Sequence, residues 1–134
     1  MDIKTYCEQA KVTLAKLNNL YPEDNAHMIF GMITEIGELA DVFKKNMAYG
    51  KSLDLVNVQE EVGDLMWYIA NFCNIHGFDL EEILEQNVAK LKVRYPNSFE
   101  AEKAINRNLE EERKVLEGTS SISVVNPSGW FTEI

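Results

Sequence analysis

The sequence predicts an all-α protein, folded as an antiparallel bundle of four to five helices. Only three prolines occur in the 134 residues, at positions 22, 96 and 127. Between these breaks, apolar residues recur every three or four positions, which is the spacing of one face of an α-helix. The apolar fraction of 46% is enough for the core of one domain. We expect that domain to span residues 1–118, followed by a C-terminal tail over residues 119–134.

The first two helices are predicted over residues 2–20 and 26–47. Asp2 can act as the N-cap of the first, because its carboxylate can accept a hydrogen bond from a backbone N–H of the first turn. The segment YPEDN is expected to separate the two helices. Gly50 can end the second helix, since glycine readily adopts the left-handed conformation found after helix C-termini.

The third helix is predicted over residues 55–76 and the fourth over residues 80–94. Gly77 can terminate the third helix, and Asp79 with Glu82 resembles a capping box at the start of the fourth. Pro96 ends the fourth helix, and Ser98 is expected to cap a fifth that continues to residue 118. The fifth helix is mostly charged, so we expect it at the edge of the bundle or against a second subunit.

The tail differs in pattern from the rest of the chain. Residues 122–125 and 130–134 are rich in strand-forming types and flank the turn-like sequence NPSG. This arrangement predicts a short β-hairpin. Because an isolated hairpin is marginally stable in water, it would need a surface to pack on, such as a neighbouring chain.

Charge and composition exclude several classes of function. The formal net charge is −9, which disfavours binding to a nucleic-acid backbone or to an anionic membrane surface. No apolar run approaches the roughly 18 residues of a membrane span. The first ten residues are polar and charged, without the apolar stretch of a signal peptide. The two cysteines do not form a disulfide framework of the kind found in secreted proteins, so we expect a cytoplasmic location.

Two acidic motifs are the strongest chemical signal, an ExxE formed by Glu35 and Glu38 and an ExxD formed by Glu61 and Asp64. The spacing of three places both carboxylates of each motif on adjacent turns of one helix face. Glu35 and Glu61 fall inside the apolar arcs of their helices, and Glu38 and Asp64 fall at the margins. A solvated acidic face would lie opposite the apolar stripe instead.

Carboxylates directed towards a core need a compensating charge, because a buried unpaired carboxylate costs several kcal/mol. Four converging oxygen ligands suit Mg²⁺, for which Mn²⁺ can substitute. Mg²⁺ also keeps coordination positions for water and phosphate oxygens, which favours hydrolysis of a polyphosphate. Two alternatives stay open: both pairs could face water, or lysine and arginine side chains from elsewhere could neutralise them.

Basic and amide side chains of the fourth helix are candidates for binding the substrate. Asn87, Lys90 and Arg94 share one face at spacings of three and four. Arginine can hold phosphate oxygens through two donors, and lysine acts as a point charge. Lys45 shares a face with Glu38 and is a further phosphate candidate. Each of these cations could equally be an ordinary surface charge.

Two more residues are candidate substrate ligands because of their positions on the helical wheel. Asn71 lies near Asp64 on the third helix. His27 precedes Glu35 by two turns on the same side, where it could contact a nucleobase or the ribose. A histidine hydrogen-bonded to the backbone near the start of its helix is the alternative for His27.

At these residues the chain resembles the MazG-like family of all-α nucleoside triphosphate pyrophosphohydrolases. The matching segments are GMITEIGELADVFKK, EEVGDLMWYIANFCNIHGFDLEEI and NVAKLKVRYPNSFEAEKAINRNLEEERKVLEG. ExxE alone is a weak signal, whereas ExxE, ExxD within an apolar helix and a downstream KLxxRYP form a specific combination. The resemblance covers roughly residues 25–118.

The resemblance implies hydrolysis of an NTP or dNTP to the monophosphate and pyrophosphate. It implies catalytic Mg²⁺ bound by the residues Glu35, Glu38, Glu61 and Asp64. It also implies that the helical bundles pair into homodimers or homotetramers. Many members carry a glutamate directly before ExxE, where this chain has Thr34, so the residue that orients the attacking water is not assigned.

Two other functions compete with this hypothesis. A pyrophosphatase of narrow specificity, for dUTP, dCTP or phosphoribosyl-ATP, would use the same acidic motifs. A non-catalytic helical module for oligomerisation or regulation would keep the fold and bind no metal. Since both acidic motifs are retained, we expect an enzyme, a hydrolase acting on acid anhydrides.

Overall fold

All regular structure in residues 1–15 and 21–118, the part of the chain that the computed structural model describes, is α-helical. The all-α prediction is therefore confirmed. The predicted hairpin over residues 122–134 lies outside the described residues. The helices are α1 (Ile3–Val12), α2 (Tyr21–Tyr49), α3 (Leu55–His76), α4 (Leu80–Arg94), α5 (Ala101–Ile105) and α6 (Leu109–Gly118).

The chain divides into two compact units, residues 1–81 and residues 82–134. In the first unit α3 is the central helix, because it packs against both α2 and α1. The connection between α2 and α3 is short, which makes them antiparallel neighbours. Gly50 adopts a φ of 63° just after α2, and the side chain of Asp54 caps α3 by accepting from Val56 N and Asn57 N.

A close approach between α2 and α3 occurs at Gly31. A Cβ atom at this position would lie 2.0 Å from Cε1 of Tyr68, so only glycine leaves space for the tyrosine ring. Met28, one turn earlier on α2, and Ala70 on α3 are both completely buried. The interface between the two helices therefore combines the small residues Gly31 and Ala70 with a buried methionine and a closely packed tyrosine ring.

Two asparagines of α3 hold α1 through its main chain. Asn71 is fully buried, and its amide donates to the carbonyl oxygen of Ala10 at 3.1 Å. Asn74 donates to the carbonyl oxygen of Cys7 at 2.9 Å and to Oδ1 of Asn71 at 3.1 Å. A buried amide such as that of Asn71 needs hydrogen-bond partners, and both Asn71 and the half-buried Asn74 have them.

The predicted ends of the first two helices are wrong. α1 ends at Val12 with Thr13 as its C-cap, instead of continuing to residue 20. α2 starts at Tyr21, so the segment YPEDN forms its first turn instead of a break. Pro22 is compatible with this position, because the first turn of a helix does not use the N–H that proline lacks.

The third and fourth helices have the bounds predicted from the sequence. Gly77 follows α3 in the left-handed conformation, with a φ of 66°. Asp79 accepts a hydrogen bond from Glu81 N at 2.9 Å and so caps the start of α4. These ends were predictable because glycine and aspartate determine them locally.

The second unit corrects the prediction of one long fifth helix. Residues 101–118 form two helices, α5 and α6, separated around Asn106 and Asn108. Glu100 takes the N-cap position of α5 that was predicted for Ser98, and the side chain of Asn108 accepts from Glu111 N at the start of α6. The break is explained by the asparagines, because their side chains can form hydrogen bonds with the backbone that compete with the backbone hydrogen bonds of a continuous helix.

An ion-pair cluster lies inside this second unit. Nε and Nη2 of Arg94 donate to the two carboxylate oxygens of Glu112 at 2.7 and 2.6 Å. Nη2 of Arg107 donates to the same carboxylate at 2.7 Å. Glu112 is only 3% exposed, and its two arginine partners lower its pKa to about 2.

Large apolar side chains remain exposed on α2 within the described residues. They include Ile29, Phe30, Ile33, Ile36, Phe43 and Met47. No helix of the described residues is long and apolar enough to cross a membrane.

Candidate active site

Three carboxylates from two helices meet in the first unit. Glu35 and Glu38 extend from α2 and Glu61 from α3, and one oxygen of each lies within 4.8 Å of the others. Glu61 is 6% exposed, Glu35 is half-buried and Glu38 is exposed. This order of burial agrees with their predicted positions on the helical wheel, where Glu35 and Glu61 lie inside the apolar arcs and Glu38 lies at the margin.

Asp64 lies one turn after Glu61 on α3 and is exposed. It stands outside the three-residue cluster, yet its charge contributes to raising the pKa of Glu35. Burial and then the charge of Asp64 also raise the pKa of Tyr6, whose hydroxyl donates to the carbonyl oxygen of Gly63 at 3.5 Å. Asp64 is thus at the edge of the same acidic region.

The electrostatics of the cluster are those of an uncompensated acidic site. Burial, followed by the charges of Glu38, Asp64 and Glu61, raises the pKa of Glu35 above its ordinary value. Across residues 1–15 and 21–118, no lysine or arginine forms an ion pair with any of these four carboxylates. Neutralisation by a neighbouring basic side chain, one of the alternatives open from the sequence, is therefore absent from the described part of the chain.

Asn57 orients the most buried of the three glutamates. Its amide nitrogen donates to Oε1 of Glu61 at 2.5 Å, from one turn earlier on α3. This leaves Oε2 of Glu61 for other contacts and restricts the rotation of the carboxylate. Asn57 is not among the site residues predicted from the sequence, although its i,i+4 spacing before Glu61 is a signal that could have identified it.

A surface groove of about 430 Å³ opens beside the cluster. Hard, anionic oxygen donors at this spacing fit a divalent cation such as Mg²⁺, which binds carboxylates and retains water ligands. The amide of Asn57 and the hydroxyl of Thr34 add neutral polar groups. The lining residues are Thr34, Gly37, Glu38, Asp41, Val42, Lys45, Asn57 and Glu61.

A sequence model of the MazG nucleotide pyrophosphohydrolase domain matches residues 23–99. The chain belongs to the MazG family. The matched region covers more than half of the chain and contains Glu35, Glu38, Glu61 and Asp64. Searches of curated proteins and of solved structures gave no match. Membership of the MazG family establishes a nucleotide pyrophosphohydrolase domain, and it confirms the family predicted from the sequence.

The predicted substrate residues of the first unit have different surroundings in this MazG domain. Lys45 lines the acidic groove, but its ammonium group pairs with Asp41 at 2.5 Å, and Lys44 and Lys45 together lower the pKa of Asp41 to about 2. Asn71 is fully buried and bonded to α1, which gives it a structural role that the sequence did not indicate. His27 lies on α2 and lines a second groove.

The predicted substrate residues of α4 belong to the second unit. Asn87 is exposed, and Lys90 is half-buried without an ion pair among the described residues. Arg94 uses two of its donors on Glu112, a partner that lies too far along the chain for the sequence pattern to reveal. The assignment of these three residues to the substrate stays a prediction.

Proposed function

We propose that this protein hydrolyses a nucleoside triphosphate, NTP or dNTP, to the monophosphate and pyrophosphate in a Mg²⁺-dependent reaction. The observation that supports this most directly is the convergence of Glu35, Glu38 and Glu61 within 4.8 Å. At that separation, two unit charges repel by about 3 kcal/mol in an effective dielectric of about 20. Three such repulsions, without a basic partner in the described residues, favour a bound cation.

The four carboxylates, including Asp64 at the edge, would hold Mg²⁺. When bound, the ion polarises phosphate oxygens and lowers the pKa of water. Asn57 fixes the carboxylate of Glu61, so that less reorganisation is needed when the ligand binds. The groove beside the cluster gives the triphosphate access from solvent. Lys45 on its wall, which pairs with Asp41, would contribute positive charge once the substrate binds. Most of the rate enhancement would come from positioning and electrostatic stabilisation.

Substrate contacts outside the acidic cluster are part of the same proposal. Lys90 and Arg94 are the basic residues of α4 that we propose for the phosphates. Lys90 forms no ion pair within the described residues, whereas Arg94 already donates to Glu112, so the proposal rests first on Lys90. Asn87, exposed on the same helix, can donate a hydrogen bond to a phosphate or sugar oxygen. The exposed apolar side chains of Ile33, Ile36 and Met47 on α2 support assembly into a homodimer or homotetramer, and we propose a cytoplasmic location.

The test is pyrophosphate release from a panel of canonical and modified NTPs and dNTPs. The full-length protein should release pyrophosphate with Mg²⁺ and should lose this activity with excess EDTA. Glu38→Gln and Glu61→Gln should each lower kcat at least 100-fold while the helical circular dichroism spectrum is unchanged. Glu60→Gln, a matched exposed glutamate next to Glu61, should retain near wild-type turnover.

The same panel separates the competing functions. Turnover confined to dUTP, dCTP or phosphoribosyl-ATP would replace the broad activity with a narrow one on the same acidic site. No turnover on any nucleotide, together with no Mg²⁺ binding by calorimetry, would support the non-catalytic module. Full activity in both Glu38→Gln and Glu61→Gln would show that the metal assignment is wrong.

A further inference from the structure

A second groove on α2 and α3 has walls that differ in chemistry from those of the acidic cluster. It has a volume of about 560 Å³, which is in the range of small-molecule sites. Aromatic rings and small residues dominate it, and Phe30 is 64% exposed there. The lining residues are Glu23, Ala26, His27, Phe30, Gly31, Thr34 and Tyr68.

His27 supplies the groove with a hydrogen-bonding group. Its Nδ1 atom is buried without a hydrogen-bond partner in the described residues, and the ring lies edge-on to Tyr68 with centroids 5.9 Å apart. A buried N–H without an acceptor is costly, so the neutral ring should carry its proton on Nε2. Nε2 forms no hydrogen bond with the described residues and can therefore donate to a ligand.

The two grooves adjoin at Thr34, which lines both of them. His27, Thr34 and Glu38 fall within about 40° of one another around α2, since helical residues advance by roughly 100°. Phe30 precedes Thr34 by four residues, which is about 6 Å along the helix axis and about 40° around it. Phe30 is therefore on the same side of α2 as the residue that joins the two grooves.

From this arrangement we infer that the groove of His27, Phe30 and Tyr68 binds the nucleobase of the substrate, with the base stacked on the exposed ring of Phe30. Nε2 of His27 donates to an acceptor atom on the edge of the base. Thr34 lies where the sugar passes from this groove to the acidic one. The inference rests on the proposed function, because the acidic cluster must hold the phosphates for the base to reach this groove.

Binding of a non-hydrolysable analogue tests this inference without depending on turnover. Calorimetry with α,β-methylene nucleoside triphosphates carrying each of the four bases, in Mg²⁺, gives the Kd for nucleotide. Inorganic tripolyphosphate is the probe that lacks a base. Phe30→Ala should weaken nucleotide binding about tenfold, because base–aromatic stacking contributes roughly that much. His27→Ala should weaken it about threefold to tenfold through the lost hydrogen bond.

Controls make the outcomes distinct. Neither variant should change the Kd for tripolyphosphate by more than about twofold, whereas Glu61→Gln should weaken both ligands. Phe43→Ala removes a second exposed phenylalanine from α2 that lines neither groove, and it should bind nucleotide like the wild type. The oligomeric mass of each variant is measured by light scattering.

The results decide between three arrangements. Unchanged nucleotide binding in both His27→Ala and Phe30→Ala would overturn the inference, even if the protein releases pyrophosphate. A lower oligomeric mass in Phe30→Ala, with unchanged nucleotide binding in His27→Ala, would identify the groove as a contact between copies of this chain and would also overturn it. Selective loss of nucleotide affinity would support it, and failure of the proposed hydrolysis would appear separately as absent pyrophosphate release.

Discussion

Replacing Gly31 with alanine tests the close contact between α2 and α3. The new Cβ would lie 2.0, 2.3 and 2.4 Å from three atoms of the Tyr68 ring. Carbon atoms normally pack about 3.5–4.0 Å apart, so the ring must retreat by roughly 1.5 Å. Its movement is restricted because Trp67 packs edge-on against it, with centroids 4.9 Å apart. Overpacking of this kind costs about 1–3 kcal/mol.

A second effect of the substitution has the opposite sign. Alanine is favoured over glycine in a helix by up to about 1 kcal/mol, whatever its neighbours. The net change for Gly31→Ala is therefore about 0–2 kcal/mol of destabilisation. Gly37→Ala, on the same helix with no atom within 4 Å of the added Cβ, isolates the propensity effect and should stabilise by about 0.5–1 kcal/mol.

The assay is urea unfolding followed by circular dichroism at 222 nm for the wild type and both variants. The free energies of unfolding of the two variants should differ by roughly 1–3 kcal/mol, with Gly31→Ala the less stable, which is the overpacking cost alone. Equal stabilisation of both variants would refute the reasoning, because it would mean that Tyr68 does not occupy the space beside Gly31.

Three further predictions concern the buried amide, the buried ion pair and the metal. Asn71→Ala should lower the free energy of unfolding in urea by about 1–2 kcal/mol, because it removes the buried donor to the carbonyl of Ala10 and the oxygen that accepts from Asn74, although Thr13 remains a partner of that carbonyl; a loss below about 0.5 kcal/mol would contradict that role. Since the pKa of Glu112 is lowered to about 2 from an ordinary value of 4.5, its contribution to stability is present above pH 4.5 and is lost as the pH falls towards 2. The gap between the urea midpoints of wild type and Glu112→Gln should narrow over that range, and a constant gap would count against the pairing with Arg94. Mg²⁺ at 100 times its Kd should stabilise the fold by about 2.7 kcal/mol. The stabilisation should appear as a rise in the thermal midpoint of unfolding, which EDTA reverses and which is absent in Glu61→Gln. An equal rise in Glu61→Gln would mean that the ion binds elsewhere.

Helix positions were predictable where local chemistry determines them. The ends of α3 follow from Asp54 and Gly77, whose cap geometries are short-range, and both were correct. The long fifth helix was wrong because its helical periodicity continues across Asn106 and Asn108, where backbone-competing side chains end one helix and start another. Likewise the apolar pattern of α1 extends past Val12, although the helix itself ends there.

The part of the candidate site that was predictable is the part that depends on the direction of side chains around a single helix. The helical wheel indicated that Glu35 and Glu61 face inward, and the structure places Glu61 in a buried and Glu35 in a half-buried position. The family match covers the segment that contains both residues. Contacts between distant segments could not be derived in this way. The burial of Asn71 against α1 and the capture of Arg94 by Glu112 both depend on tertiary packing, so their structural roles were missed.

The way α1 is attached has a consequence for how freely its sequence can change. Asn71 and Asn74 donate hydrogen bonds to main-chain carbonyl oxygens of α1, which every amino acid has. These two hydrogen bonds therefore do not depend on which side chains α1 carries. Substitutions on the outer surface of this helix should therefore be tolerated widely, whereas a proline that bends its axis would pull both carbonyls out of reach. For protein engineering, α1 is a segment whose surface side chains can be replaced while its packing against α3 is preserved.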